Sequence, residues 1–185
     1  MGRTDNSNLA AKVQLRAAYL RTYHSSGGIV FDACQGDGKV WGRLRKKFAV
    51  NYQGADITRK GHALPVDSRR MLSVEHWKWD IVDIDTYGEP WAHWEALCKT
   101  ADHDCTVFLT WGHIAIMGGQ VSRYPYRAMS IPQECPQALV ASLAPWSLPY
   151  LLHFALRQDQ QIEDIRVCRP NPRVDYVGLR LLVSV

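Results

Sequence analysis

Twice in this chain a short apolar run ends on acids and breaks into a glycine-bearing turn. Ile81-Val82 leads into Asp83-Ile84-Asp85-Thr86-Tyr87-Gly88-Glu89-Pro90, and an aromatic, helix-forming segment follows. Earlier, Ile29-Val30-Phe31-Asp32-Ala33-Cys34-Gln35-Gly36-Asp37-Gly38 makes the same transition. Open α/β sheets bind ligands outside the carboxyl ends of their strands. A strand that delivers an acid, an aromatic residue and a glycine there puts reactive groups beside a ligand. Two such edges imply a cofactor on the first and a substrate on the second.

The pattern between and around these edges is an alternation. Leu9, Val13, Ala17 and Leu20 recur at helical spacing, which predicts an amphipathic helix over 8–23, stopped by Ser25-Ser26-Gly27-Gly28. Ile29 to Ala33 reads as a strand, Val40 to Phe48 as a basic helix, and Ala49 to Ile57 as a strand ending at Asp56. A short strand, His62 to Val66, ends at Asp67. Asp80 to Asp85 is the next strand, and Pro90 to Thr100 a helix with Trp91, Trp94, Ala96 and Leu97 on its apolar face. Cys105 to Thr110 is a β run. An irregular stretch, Trp111 to Cys135, follows; a loop this long binds something, covers a site or is disordered. A proline-interrupted helical region at 136–157 precedes two β runs, Ile162–Cys168 and Val174–Val183.

Strands alternating with helices imply a mainly parallel sheet with right-handed crossovers, and the short turn before the last run makes the closing pair antiparallel. The expected fold is therefore α/β: a Rossmann-like sheet of about seven strands, mostly parallel with an antiparallel C-terminal pair, in a single domain over 1–185. A chain of this length holds one sizeable core but not a second, large recognition domain.

Composition narrows the setting. The net charge of +4 is mildly basic, which tolerates a polyanionic partner without demanding one. Five scattered cysteines without a Cys-x-x-Cys pair argue against a disulfide framework or a structural zinc. The polar start shows no signal peptide, and the longest apolar stretch, Ala138 to Leu156, holds Pro145, Pro149 and His153, unlike a membrane span. A cytoplasmic location is the expectation.

With its N-terminal helix, strand–helix alternations and closing β pair, the chain resembles the class I S-adenosylmethionine-dependent methyltransferases over nearly its whole length. The first motif of that family, an acid at a strand end before a glycine-rich turn, is matched by Asp32, Gly36 and Gly38; Cys34 stands where the first glycine is usual. The resemblance implies that Asp56 binds the ribose hydroxyls of S-adenosylmethionine and that Asp67 lies near its adenine. The segment from Asp83 to Pro90 is similar to the Asp-Ile-Asp-Pro-Phe-Gly-Ser-Pro segment of the tRNA guanine-N2 dimethyltransferases. More loosely, it resembles the Asp/Asn-Pro-Pro-Tyr loop of amino-methylating nucleic-acid enzymes. Thr86 replaces the proline, and no counterpart of the RNA-binding extension of the dimethyltransferases is seen.

The residues support the same chemistry on their own terms. Glycines let the backbone approach a ligand, amides at a helix start favour an anionic group, and a carboxylate accepts two hydrogen bonds from a vicinal diol. The sulfonium methyl is already electrophilic, so aligning a nucleophile supplies much of the rate and no metal is required. For an amino nucleophile, Asp85 would accept one N–H and the Thr86 carbonyl the other, while Tyr87 stacks on the base. Gly88 and Pro90 would shape the substrate side. Arg43, Arg45, Lys46, Lys47, Arg59, Lys60, Arg69 and Arg70 offer phosphate contacts, and Arg123, Tyr124, Tyr126 and Arg127 a clamp for a strand of RNA or DNA. A base in a duplex would have to leave the stack.

Plainer readings stand beside these. Arg43 to Lys47 reads first as the solvated face of a helix, Asp83 as a cap or ion pair inside the fold, and Cys34 as a small packed residue. Tyr87 has Trp91 as an alternative packing partner, and Trp111 and His113 are equally pocket wall or core. Since fold does not give function, two alternatives to a nucleic-acid target remain: a small molecule or protein side chain as substrate, or a non-catalytic binding protein on the same fold.

Overall fold

Seven strands form one sheet in the order β3-β2-β1-β4-β5-β7-β6. The computed structural model describes residues 8–58, 61–86, 90–112, 132, 134, 147–172 and 174–183. In chain order these hold α1 (Leu9–Tyr23), β1 (Gly28–Asp32), α2 (Lys39–Leu44), β2 (Val50–Asp56), β3 (Leu64–Pro65), α3 (Ser68–Leu72) and β4 (Ile81–Ile84). Then come α4 (Trp91–Thr100), β5 (Cys105–Gly112), α5 (Ser147–Leu156), β6 (Gln160–Asn171) and β7 (Val174–Val183). The first five strands are parallel neighbours. Strand β7 inserts antiparallel between β5 and β6, as the short closing turn requires.

Alternate residues along each strand face opposite layers. Val30, Ile81, Phe108 and Tyr176 meet α1 and α2 through Leu15, Tyr19, Leu20, Trp41 and Leu44. Phe31, Val82, Val107 and Leu179 meet α3, α4 and α5 through Leu72, Trp91, Trp94, Leu97 and Leu151. Trp41 and Trp94 are fully buried; taking a tryptophan of 150–250 Å² out of water contributes about 4–6 kcal/mol. The apolar face expected for α4 is the one observed, with Cys98 added.

Four elements depart from expectation. The basic helix stops at Leu44, where the amides of Lys47 and Phe48 both close back on the Leu44 carbonyl at 2.8 and 3.0 Å. Helix α3 was not anticipated; the Asp67 carboxylate starts it by accepting from the Arg69 amide at 3.0 Å. In α1 the buried stripe is rotated: Leu9 and Val13 are half-buried, whereas Lys12 and Arg16 lie inside. The strand beneath explains the rotation, because β4 turns two acids toward the helix. Trp111 and Gly112, expected in a loop, extend β5, and Trp111 packs edge-on against Trp91 in the core at 5.1 Å. The remainder of that loop, His113 included, lies outside the described residues apart from 132 and 134.

Candidate active site

The strand order reverses direction between β1 and β4, which opens a crevice at their carboxyl ends. Asp32 closes β1 and sits directly opposite Asp83 of β4, with Gly54 of β2 on its other side. Both carboxyls are buried, at 4% and 1% exposure. Two carboxylates side by side repel, and each finds a different remedy. The Arg16 guanidinium grips Asp83 with two 2.6 Å bonds, and the Trp41 indole adds a third at 2.7 Å. Asp83 is thus an internal ion-pair partner. Asp32 forms no ion pair among the described residues; it accepts from the Tyr52 hydroxyl at 2.8 Å. Burial and the neighbouring Asp83 charge push its pKa well up.

Asp85, one residue past the end of β4, is the next acid on the same side. The Lys12 ammonium lies 2.7 Å from both of its oxygens, and the Thr110 hydroxyl of β5 donates to Oδ1 at 2.5 Å. Lys12 is buried beneath this pair and also faces the Tyr176 ring at 5.2 Å. A carboxylate has about four lone-pair sites. Among the described residues, Oδ2 accepts from Lys12 alone, so one acceptor position remains on it. Thr86 follows, half-buried, with its hydroxyl 3.5 Å from the Thr110 carbonyl. Pro90 is buried at the start of α4.

The β1–α2 turn is built on Gly36 and Gly38, whose φ of 53° and 63° lie in the left-handed region that side chains avoid. The Gly36 amide donates to Asp56 Oδ2 at 3.0 Å, tying the turn to the end of β2. Asp56 Oδ1 takes the amide and hydroxyl of Thr58 at 2.9 and 2.8 Å. Gln35 lies across Gly54, where a Cβ would overlap its Oε1. A side chain at that point of β2 would have to displace Gln35.

On the α4 side, His93 Nε2 lies 3.0 Å from the Ser68 hydroxyl and 3.8 Å from the Cys34 sulfur. This chain of contacts brings the Asp67–Ser68 turn against the first turn. Burial, with help from Arg69, depresses the His93 pKa to about 4, so the ring is neutral near pH 7. Burial also pushes the Cys34 thiol upward, leaving it protonated. Asp67 is held low by the Arg69 guanidinium, at 2.6 Å.

The described residues thus bring Asp32, Cys34, Gly36, Gly38, Asp56 and Asp85 to one sheet edge, with Asp67 joined to it through Ser68 and His93. Tyr87, Gly88, Arg59, Lys60, Arg123, Tyr124, Tyr126 and Arg127 lie outside the described residues. Sequence reasoning missed Lys12, Arg16, Tyr52, His93 and Thr110. For the first two a signal existed: cations four apart in a helix, facing acids two apart on a strand. Among the described residues no three His, Cys, Asp or Glu side chains cluster as metal ligands would, and no helix is long and apolar enough to cross a membrane.

No protein-family model matches the sequence, and no curated protein matches it either. Solved structures do. Trm1 from Pyrococcus horikoshii, in complex with S-adenosyl-L-methionine, superposes with a TM-score of 0.68 at 13% identity, over 98% of this chain and 57% of that one. The present chain therefore spans little more than half of the length of Trm1. TYW2 from M. jannaschii, in complex with AdoMet, gives a TM-score of 0.59 at 10% identity, over 99% of this chain and 79% of that one. The plantazolicin methyltransferase BpumL, with SAH bound, gives 0.54 at 13% identity, over 95% and 84%. Topology, the edge acids and these likenesses agree: the chain has the Rossmann-like fold of the class I S-adenosylmethionine-dependent methyltransferases.

Proposed function

We propose that this protein is an S-adenosylmethionine-dependent methyltransferase acting on an exocyclic amino group of a nucleic-acid base. The observation that carries the reading is Asp85: an edge carboxylate fixed from behind by Lys12 and Thr110, with an acceptor position on Oδ2 that no described residue takes. Such a group suits an N–H that must be aimed rather than a proton that must be removed first.

The residues fit the cofactor. Left-handed Gly36 and Gly38 leave a turn with no side chain to block a close approach. Asp56 Oδ2 and Thr58 Oγ1 offer polar partners for a diol. Neutral His93 and protonated Cys34 line a stretch without formal charge, which suits an uncharged purine. Asp67 stands beyond it. When bound, S-adenosylmethionine supplies an electrophilic methyl group on a sulfonium.

The rest is positioning by the chain. Asp85 accepts one N–H of the substrate amine and the Thr86 carbonyl the other, which leaves the nitrogen lone pair free to point along the line of transfer. Tyr87 holds the base by stacking, worth ~1–3 kcal/mol, with Gly88 and Pro90 beside it and Arg123, Tyr124 and Arg127 on the strand. Alignment of this kind accounts for a large share of the rate when the donor is already activated. A second reading, a small-molecule or peptide substrate, takes its support from the likeness to the plantazolicin enzyme.

Calorimetric titration with S-adenosylmethionine and S-adenosylhomocysteine is the first test. Saturable binding that is lost in Asp56→Ala and kept in Asp85→Ala is expected, followed by tritium-methyl transfer to a nucleic-acid pool by the parent alone. Failure of a folded protein to bind either compound would leave only a non-catalytic role for the fold. Transfer to small molecules and not to tRNA, rRNA or DNA would select the second reading.

A further inference from the structure

The net positive charge of this protein comes from one stretch of its sequence. Residues 1–50 carry nine Lys and Arg against three Asp, whereas the remaining residues carry thirteen against fifteen acids. The excess of +4 therefore comes wholly from the first 50 residues. Segments 8–31 and 38–55 contain no Asp or Glu at all. These two segments are α1, β1, α2 and most of β2, and α1 and α2 cover the same face of the sheet. Lys12 and Arg16 turn inward to the acids of β4, and the other six cations, Arg21, Lys39, Arg43, Arg45, Lys46 and Lys47, are exposed.

Two of the six are seated on aromatic rings of this face. Arg45 lies over the Tyr52 ring at 4.5 Å, and Arg21 of α1 lies over Phe48, just past α2, at 6.0 Å. The rings hold the two guanidinium groups against the protein with their edges available. Lys39 has Asp37 at 3.3 Å. Among the described residues no carboxylate lies within ion-pair distance of the other five. The surface also borders the candidate active site, because the Tyr52 hydroxyl under Arg45 is the group that bonds Asp32.

A solvated helix face would intersperse acids among its bases, as β6 does with Asp164 beside Arg166. A face with this excess of cations repels itself in the free protein, even with Asp37 beside Lys39 and Asp164 beside Tyr23 of α1, and a polyanion relieves that repulsion. We propose that the α1–α2 face is a docking surface for the sugar-phosphate backbone of a nucleic acid, holding the strand outside the pocket while one base enters it. Guanidinium and ammonium groups neutralise phosphates without reading sequence, so this face supplies affinity and register and the pocket supplies the choice of base. The inference rests on the proposed nucleic-acid target and adds where that target is held.

The test is fluorescence anisotropy with labelled single- and double-stranded RNA and DNA, titrated between about 50 and 200 mM salt. The parent is compared with a variant carrying Arg43→Gln, Arg45→Gln, Lys46→Gln and Lys47→Gln. Glutamine keeps helix propensity, and calorimetry with S-adenosylmethionine reports that the fold and cofactor site are intact. Four lost phosphate contacts should lower the slope of log K against log salt by about 3 to 4. The nucleic acid with the steepest parental slope identifies RNA or DNA. An unchanged slope, with unchanged affinity, overturns the docking face while leaving the methyltransferase reading standing. A parent that binds no nucleic acid at low salt, or that binds only an acidic protein, overturns the face as well. Loss of cofactor binding in the parent would instead sink the enzyme reading itself.

Discussion

Lys12 Nζ stands 2.7 Å from each carboxylate oxygen of Asp85, across 73 positions of sequence. The contact is one half of a matched pair. One helical turn on, Arg16 takes Asp83 in the same two-pronged manner. Four residues of helix rise about 6 Å, and two residues of strand rise about 6.6 Å. Cations four apart on α1 therefore register with acids two apart on β4, and the helix runs antiparallel to the strand it covers. The outer pair faces the crevice, and the inner pair is sealed.

The outer pair should act on catalysis through Asp85. With Lys12→Met, kcat for methyl transfer is expected to fall by about 10²-fold, since a displacement near 1 Å costs that much, while the cofactor dissociation constant stays put. In an Asp85→Asn background the same substitution should have little further effect. Such non-additivity in a double-mutant cycle marks two residues acting as one unit. Independent, multiplying losses would mean that Lys12 serves only to hold α1 in place.

The inner pair should act on stability. Arg16→Met leaves the Asp83 carboxylate buried without its cation, a loss of about 3–5 kcal/mol. A domain typically has only ~5–15 kcal/mol to lose. Urea denaturation gives the number. Removing both charges together, as Arg16→Met with Asp83→Leu, should recover most of it, because an apolar pair avoids desolvating two ions. No recovery would show that the cost came from lost packing.

Acid should weaken the fold before it protonates any paired carboxylate. His24 and His93 are both depressed to about 4 by burial, with Arg180 and Arg69 as lesser causes. The unfolded chain takes up these protons near pH 6.5. Stability from each ring is therefore complete above about pH 6.5 and lost as the pH falls toward 4, at up to ~1.4 kcal/mol per pH unit. Asp32, whose pKa burial raises, works the other way. The comparison of the parent with His93→Gln cancels that term. The variant should lose less stability between neutral and mildly acid pH; parallel curves would mean that His93 titrates alike in both states.

Gly54 should accept a side chain only by displacing Gln35. A Cβ there would overlap Gln35 Oε1 and stand 2.9 Å from the Tyr52 hydroxyl. Gly54→Ala is expected to cost ~1–3 kcal/mol by overpacking and to loosen cofactor binding by shifting the turn next to Gly36. Adding Gln35→Ala should restore both. Restored stability without restored binding would give Gln35 a role in the site itself.

The layout of this protein was legible in its sequence because strand, turn and helix signals are local. Apolar runs ending at Asp32, Asp56 and Ile84, glycines at 36 and 38, and the short closing turn carried the strand alternation and the antiparallel end. They also carried the acids to one edge of the sheet. Which partner each acid meets was not local. Asp83 and Asp85 look alike on paper, two residues apart on one strand. Tertiary packing sent one to a sealed guanidinium and an indole, and the other to a lysine at the rim. The same packing rotated α1 so that Lys12 and Arg16 became part of its inner face. A side chain buries its charge only where another element brings the opposite charge within reach, and that meeting depends on how distant segments stack.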